Sequence, residues 1–125
     1  MACTVTHDAS IGIIEVVCSG HITANDLEGA VTERISLEKE TGVSRILMDV
    51  SAAQLSATFI DLVDIPEKLY EALGANRRSR ITVVLPASHD EQERWRFFET
   101  ACTNRGWMVE VFSERQTAMD WLLST

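Results

Sequence analysis

Three neighbouring residues have the side chains that a hydrolase triad uses. Ser88, His89 and Asp90 supply a hydroxyl, an imidazole and a carboxylate, but adjacent residues at the start of a helix point in different directions, whereas a triad needs converging geometry. With Glu91 they form the pattern Ser-x-x-Glu, which is typical of a helix capping box. We therefore predict a helix start at Ser88 and no nucleophilic catalysis.

Asp49 ends a run of apolar residues, in the position where a response-regulator receiver carries its phosphoacceptor. A receiver also needs an acidic pair after its first parallel strand, where this chain has Ser19, Gly20 and His21, and a lysine after the last, where Ser113 stands. The sequence does not supply these groups. We expect Asp49 to hydrogen-bond the residues that follow it, because aspartates commonly stabilise turns.

The remaining reactive residue types form no recognisable ligand set. The three histidines have no metal-ligand spacing with one another or with a cysteine, and the six glycines match neither nucleotide-binding motif. We predict no metal and no cofactor. Cys3, Cys18 and Cys102 are odd in number and widely spaced, so we interpret them as reduced residues that pack in the interior.

Length and composition indicate one globular domain spanning residues 1–125, with 46% hydrophobic and 24% charged residues. No apolar run is long enough for a transmembrane segment and the N-terminus lacks an export signal, which predicts a cytoplasmic protein. The net charge of -8 argues against binding to nucleic acid or to an anionic membrane, since both depend on basic side chains.

Changes of hydrophobic period along the chain predict an α/β fold. Residues 4–7 and 11–18 indicate a hairpin, and the helix that follows begins with the capping residues 23–26 and ends at Gly42. Short apolar runs at 45–50, 80–85 and 107–112 are typical of parallel strands, and we place them at the centre of the sheet. The pattern at 113–116 indicates a second capping box before the last helix.

One segment, residues 56–74, departs from the regular pattern. Pro66 interrupts a helical stretch, which predicts two short helices or a kink. Before it, the apolar residues surround most of the helix, so burying all of them requires a second surface besides the sheet. That surface belongs to a partner subunit, an apolar ligand or the next helix of this chain. The residues concerned are Phe59, Ile60, Leu62, Val63 and Ile65.

The order of elements, together with several short strings, resembles small STAS-like domains, which have the SpoIIAA-like fold of anti-sigma-factor antagonists. It is also similar to an uncharacterised bacterial branch sometimes likened to lipid-binding CRAL-TRIO domains. The resemblance implies a βα superhelix with a mixed sheet of about five strands, four or five helices, and a regulatory or binding role. The strings are at 20–23, 26–27, 46–49, 64–66, 80–84, 110–112 and 118–122.

The resemblance also implies a candidate switch loop. Phosphorylatable antagonists of this fold carry an Asp-Ser-Ser-Gly-like string after the strand that here ends at Asp49. The corresponding residues 51–57 keep Ser51 and Ser56 but lack the acidic residue and the glycine. Ser56 is the candidate phosphorylation site, and a role at the start of the next helix explains it equally well.

Two functional hypotheses follow. The first is a non-enzymatic regulatory or protein-interaction domain that forms a homodimer, or binds a protein partner, through the apolar helix near residues 59–65. The alternative is a binder of a small apolar or acyl ligand, in a slot between that helix and the sheet. In the second hypothesis, Trp95 and Phe98 join the apolar helix in lining the slot.

Overall fold

A mixed sheet of five strands, in the order β1-β2-β3-β4-β5, forms the centre of the computed structural model, which describes residues 2–124. β1 and β2 are antiparallel and all other neighbours are parallel. The elements are β1 (Cys3–Asp8), β2 (Ile13–Thr23), α1 (Ala24–Thr41), β3 (Arg45–Ser56), α2 (Phe59–Asp64), a π-helical turn (Ile65–Leu69), α3 (Tyr70–Leu73), β4 (Arg80–Val84), α4 (His89–Thr103), β5 (Met108–Phe112) and α5 (Arg115–Leu123).

This arrangement confirms the predicted α/β class, the hairpin and the parallel strands, with one correction to their order. β5 lies at an edge of the sheet and β3 lies in the middle. The reason is that β2 leaves the hairpin and pairs directly with β3, so β2, β3 and β4 are the central strands.

Helices cover the two faces of the sheet unequally. α1, the helical segment 59–73 and α4 pack on one face and enclose the larger core, which includes Ile14, Ile46 and Trp95. α5 alone covers part of the other face, where Leu47 and Leu122 belong to a smaller apolar cluster. None of the helices within residues 2–124 is long and apolar enough to cross a bilayer.

β3 is longer than the sequence predicts. Its pairing with β2 continues through Ser56, after a bulge in which β3 carries one extra residue, since Val17 pairs with Asp49 but Ser19 pairs with Ala52. The segment 51–56 is therefore part of a strand, and the predicted loop there is wrong. The sequence signal was the apolar spacing, which changes from every second residue to a step of three between Val50 and Ala53.

The helix caps agree with the sequence for α1 and differ for α4 and α5. Thr23 caps α1 as predicted and forms a capping box with Asp26, and Gly42 ends α1 in the left-handed conformation at φ 76°. Ser88 precedes α4 and Glu114 precedes α5, and neither makes a side-chain cap, so the capping boxes predicted at 88–91 and 113–116 are wrong. Glu91 instead bonds a backbone amide of β3.

A buried polar cluster ties the helical layer together. Arg34 and Glu38, both on α1, form an ion pair of 2.5 Å that is almost fully buried. Arg34 also donates to the Tyr70 hydroxyl at 3.1 Å, and Ser79 Oγ donates to Glu38 at 2.8 Å. These bonds link α1 to α3 and to the residue before β4, so each buried charge has a partner.

Two of the three cysteines are disulfide-bonded, which corrects the interpretation of all three as reduced residues. Cys3 and Cys18 face each other in the β1–β2 register, with their Cα atoms 4.1 Å apart. The hairpin brings them together, and sequence spacing alone did not show this register. Cys102 is free and buried.

We predict that reducing the Cys3–Cys18 bond lowers the free energy of unfolding by about 3 kcal/mol, because the bond closes a loop that is otherwise free in the unfolded chain. Urea titrations with and without dithiothreitol measure the difference. The double variant Cys3→Ser/Cys18→Ser is the control and should not respond to reductant. Equal stability of the oxidised and reduced chains contradicts the prediction.

Stability should also fall at alkaline pH. Burial raises the pKa of the Cys102 thiol to about 12 and raises the pKa of the Tyr70 hydroxyl as well. The folded state thus holds both protons more tightly than the unfolded state, and this advantage is complete near neutrality and lost as the pH rises above the unfolded-state pKa values.

The expected loss is about 1.4 kcal/mol per pH unit for each group, above about pH 9 for the thiol and about pH 10 for the phenol. Urea unfolding between pH 7 and 11 measures it. The free energy of unfolding of Tyr70→Phe should decline less steeply with pH than that of the wild type above pH 10. Identical slopes for the two proteins argue against assigning this loss to the Tyr70 hydroxyl.

Candidate functional site

The start of α2 leaves two large apolar side chains in solvent. Thr58 caps the helix, since its hydroxyl accepts from the Asp61 amide at 3.1 Å while Asp61 accepts from the Thr58 amide at 2.9 Å. Directly after the cap, Phe59 is 55% exposed and Ile60 is 74% exposed. Exposure of this extent is unusual for two consecutive large hydrophobic residues.

The five apolar residues singled out in the sequence divide into two groups. Leu62 and Ile65 are buried against the rest of this chain, Val63 is half-buried, and Phe59 and Ile60 are exposed. The chain's own core therefore accounts for one side of the helix. The other side has no cover among residues 2–124.

The predicted kink at Pro66 is a π-helical turn. Proline has no amide proton and its ring displaces the carbonyl four residues earlier, which disfavours a continuous α-helix. The Tyr70 amide donates to the Ile65 carbonyl, five residues back, so the helical segment continues with one wide turn. Tyr70 then points into the core, where it meets Arg34.

Phe97 of α4 joins the exposed residues of α2, and the sequence interpretation missed it. Its ring lies 4.6 Å from that of Phe59, measured between centroids. The available signal was its position two residues after Trp95, which places it off the buried stripe of α4. Phe59, Ile60, Val63 and Phe97, here called the Phe59 patch, line a depression of about 230 Å³.

Trp95 and Phe98 lie elsewhere. Both are buried in the core, where their rings meet edge to face at 5.9 Å. They pack between α4 and the sheet and do not reach the Phe59 patch. The cavity that remains beside Phe98 and Tyr70 is only about 10 Å³.

The candidate switch residues lie along β3. Asp49 accepts hydrogen bonds from the Ser51 amide at 3.0 Å and the Ser51 hydroxyl at 2.6 Å, so it does stabilise the residues after it, as expected. Its other oxygen accepts from Arg115 of α5 at 3.2 Å. Ser56 is exposed at the last position of β3. Thr58, and not Ser56, caps α2.

A groove of about 520 Å³ lies at the carboxyl ends of β3 and β4. The segment 51–56 forms one wall, and the turn 86–88 with the first part of α4 forms the other. Open α/β sheets usually bind ligands at this edge. The groove contains both serines of the candidate switch segment and is separate from the Phe59 patch, with which it shares no lining residue.

No protein-family model matches the sequence, and no curated protein does. Among solved structures, the chain is similar to an uncharacterised protein of the DUF3478 family with a SpoIIAA-like fold from Shewanella loihica PV-4. The TM-score is 0.58 at 16% identity, over 97% of this chain and 92% of that one.

Two structures of SpoIIAA are also similar. The anti-sigma factor antagonist SpoIIAA in its unphosphorylated form matches with a TM-score of 0.57 and 12% identity, over 99% of this chain and all of that one. The Bacillus cell fate determinant SpoIIAA in the phosphorylated form matches with a TM-score of 0.51 and 16% identity, over 96% and 98% of the two chains. The chain therefore has the SpoIIAA-like fold that the resemblance implied.

The division of α2 into a buried and an exposed side predicts opposite effects of two truncations. Leu62→Ala should lower the free energy of unfolding by about 2–5 kcal/mol because it leaves a core cavity. Ile60→Ala should change it by less than about 0.5 kcal/mol. Urea unfolding of dilute protein tests both, and comparable losses in the two variants contradict the division.

Proposed function

We propose that this protein is a non-enzymatic regulatory domain that acts through protein contacts and self-associates through the Phe59 patch. The observation that carries the proposal is the exposure of Phe59 and Ile60 beside Phe97. Contiguous apolar residues on a surface commonly mark a protein interface, and aromatic residues are enriched in the centres of such interfaces.

The shape of the patch supports contact between two copies. Ile60 is its most exposed side chain, and a depression of about 230 Å³ lies next to it. A two-fold interface is self-complementary, so Ile60 of each copy can enter the depression of the other. The patch itself is smaller than the roughly 1,200 Å² that a stable interface buries, so the polar residues around it, such as Asp64 and Glu67, form the rim.

The structural neighbours support the regulatory part of the proposal. SpoIIAA is described as an anti-sigma factor antagonist, which is a regulator that acts on another protein. The same fold in this chain is consistent with that mode of action. The proposal for this chain still rests on its own apolar patch, because the likeness extends to the fold alone.

Ser56 is the candidate switch residue within this proposal. One neighbour is the phosphorylated form of SpoIIAA. In this chain the Ser51 hydroxyl is bonded to Asp49, whereas Ser56 is exposed and lies two residues before the cap of α2. A phosphate on Ser56 would add negative charge close to the Phe59 patch and so alter its contacts.

The alternative is a small apolar or acyl ligand. Leu62, Trp95 and Phe98 fill the interior between the helical segment and the sheet. A ligand would therefore bind in the surface depression of the Phe59 patch. At about 230 Å³ it is smaller than the roughly 300–1,000 Å³ typical of small-molecule pockets. This comparison favours a protein partner.

Sedimentation velocity distinguishes the two functions. We predict that the wild-type chain sediments as a dimer at micromolar concentrations and that Ile60→Asp and Val63→Asp sediment as monomers, because each places a charge in the apolar centre. Ile11→Asp is the matched control, since Ile11 is an exposed apolar residue on the hairpin turn, and it should remain dimeric.

A wild-type monomer at these concentrations rules out self-association. Native mass spectrometry of the same samples tests the alternative: an added mass of a few hundred daltons on a monomer, absent from Ile60→Asp, would indicate a ligand in place of a second copy. A dimer without such a mass supports the proposal.

A further inference from the structure

Two arginines lie directly opposite each other at the amino ends of neighbouring strands, since Arg45 of β3 pairs in register with Arg80 of β4. Leu47 and Val84 follow them at even spacing and belong to the apolar cluster under α5, so both arginine side chains point to the α5 face of the sheet. Neighbouring strands are about 4.8 Å apart, and like charges at opposite positions destabilise their pairing. An anion between the two guanidinium groups would offset this repulsion.

The guanidinium of Arg80 is held in a defined position. It stacks on the Trp121 ring, with Cζ 4.3 Å from the ring centroid, and it donates to the carbonyl and the hydroxyl of Ser124. These two bonds use two of the five N–H groups that a guanidinium carries. The other N–H groups can donate to an anion, and a planar group held in this way suits the two parallel hydrogen bonds that a carboxylate accepts.

Arg78 adds a third guanidinium, two residues before Arg80, and is exposed. Arg45, Arg78 and Arg80 are here called the arginine cluster. Among residues 2–124, no carboxylate oxygen lies within 4.0 Å of their side-chain nitrogens, whereas the intervening Arg77 is paired with Glu71 at 2.5 Å. The arginine cluster is therefore a local excess of positive charge on a chain whose formal net charge is -8.

Acidic side chains on the same face of the sheet have other partners. Glu15 and Asp49 both bond to Arg115 of α5, at 2.6 Å and 3.2 Å. Asp8, at the amino-end row of the sheet, accepts from the Ser10 hydroxyl at 2.6 Å. These carboxylates are engaged away from the arginine cluster, which leaves the cluster open to an acidic group from outside the chain.

An exposed apolar residue continues the same row. Met108 of β5 is in register with Arg80, so its side chain points to the same face, and it is 42% exposed. Leu123, next to the Ser124 that Arg80 contacts, is also exposed. Glu110 lies on this face two residues after Met108 and limits the basic surface on the β5 side. The surface therefore offers cations over β3 and β4 and an apolar contact over β5.

We propose that the arginine cluster and Met108 bind an acidic segment of a partner polypeptide, with a carboxylate between Arg45 and Arg80 and an apolar side chain against Met108. Charges across protein interfaces are complementary, and guanidinium groups bind carboxylates with the strongest hydrogen bonds of this kind. The cluster extends over two strands and a loop, which suits several carboxylates on one segment better than one small anion. A short segment also avoids the acidic remainder of the chain, which a nucleic acid or a membrane would approach.

This surface is independent of the Phe59 patch. The two share no residue, and they lie on opposite faces of the sheet, because α2 and α4 pack on the larger core and the arginine cluster points to the face of α5. The inference thus goes beyond the proposed function and gives the domain a second surface for protein contact.

Fluorescence anisotropy of a labelled peptide of repeated Glu-Glu-Leu units tests the proposal at low ionic strength. We expect Arg45→Gln and Arg78→Gln each to weaken binding about threefold or more, and the double variant to weaken it about tenfold or more. Arg45→Lys keeps the charge and should bind more tightly than Arg45→Gln. Arg96→Gln is the matched control, since Arg96 is exposed on α4 and its loss changes the net charge equally.

A second peptide with glutamine in place of glutamate should bind about tenfold more weakly than the first. Circular dichroism verifies that each variant is folded. Absence of binding by the wild type, or equal losses in Arg78→Gln and Arg96→Gln, overturns the proposal. Full displacement by inorganic phosphate at the concentration of the peptide also overturns it, because the site would then be one for a small anion.

The same variants separate this proposal from self-association. Arg78→Gln should sediment as the wild type does, and Ile60→Asp should bind the acidic peptide as the wild type does. Loss of peptide binding in Ile60→Asp contradicts the independence of the two surfaces and overturns the placement of the peptide at the arginine cluster.

Discussion

The extra residue in β3 is the constraint on which the other features of this fold depend. Side chains alternate along a strand, so one inserted residue exchanges the buried and exposed faces from that point onward. Here the exchange coincides with the step from Val50 to Ala53, and Ala53 and Leu55 consequently join the same core as Ile46. Without the bulge, the alternation set by Ile46, Met48 and Val50 would turn Ala52, Gln54 and Ser56 towards the core.

The same insertion also rotates the peptide groups. Before it, the Ser44 carbonyl accepts from Arg80 at the start of β4, so even-numbered residues direct their peptide groups towards β4. After it, Leu55 directs its peptide groups to that side and meets Glu91 and Arg94. The bulge therefore determines which residue lines the groove and ends β3 with Ser56 exposed next to α2.

Local periodicity was sufficient to predict the α/β class, the hairpin, the parallel strands and the cap at Thr23, because each of these depends on residues close in sequence. The errors arose where a residue's contacts depend on a partner that is distant in sequence. Glu91 fits a capping box, but a buried amide of β3 competes for its carboxylate. Cys3 and Cys18 pair because of hairpin register, and Phe97 belongs to the Phe59 patch only because α2 packs beside α4.

The disulfide between Cys3 and Cys18 changes how the protein would respond to mechanical load. If the chain is pulled from its two ends, force applied at the N-terminus passes through the sulfur atoms into β2, which is hydrogen-bonded to β3 in the interior of the sheet. The hairpin is bypassed, and the chain between the two cysteines, which are separated by 15 positions in sequence, stays folded back as hidden length of about 50 Å. Peeling β1 from the edge, the easiest first step for an unlinked sheet, is therefore unavailable until the disulfide is reduced.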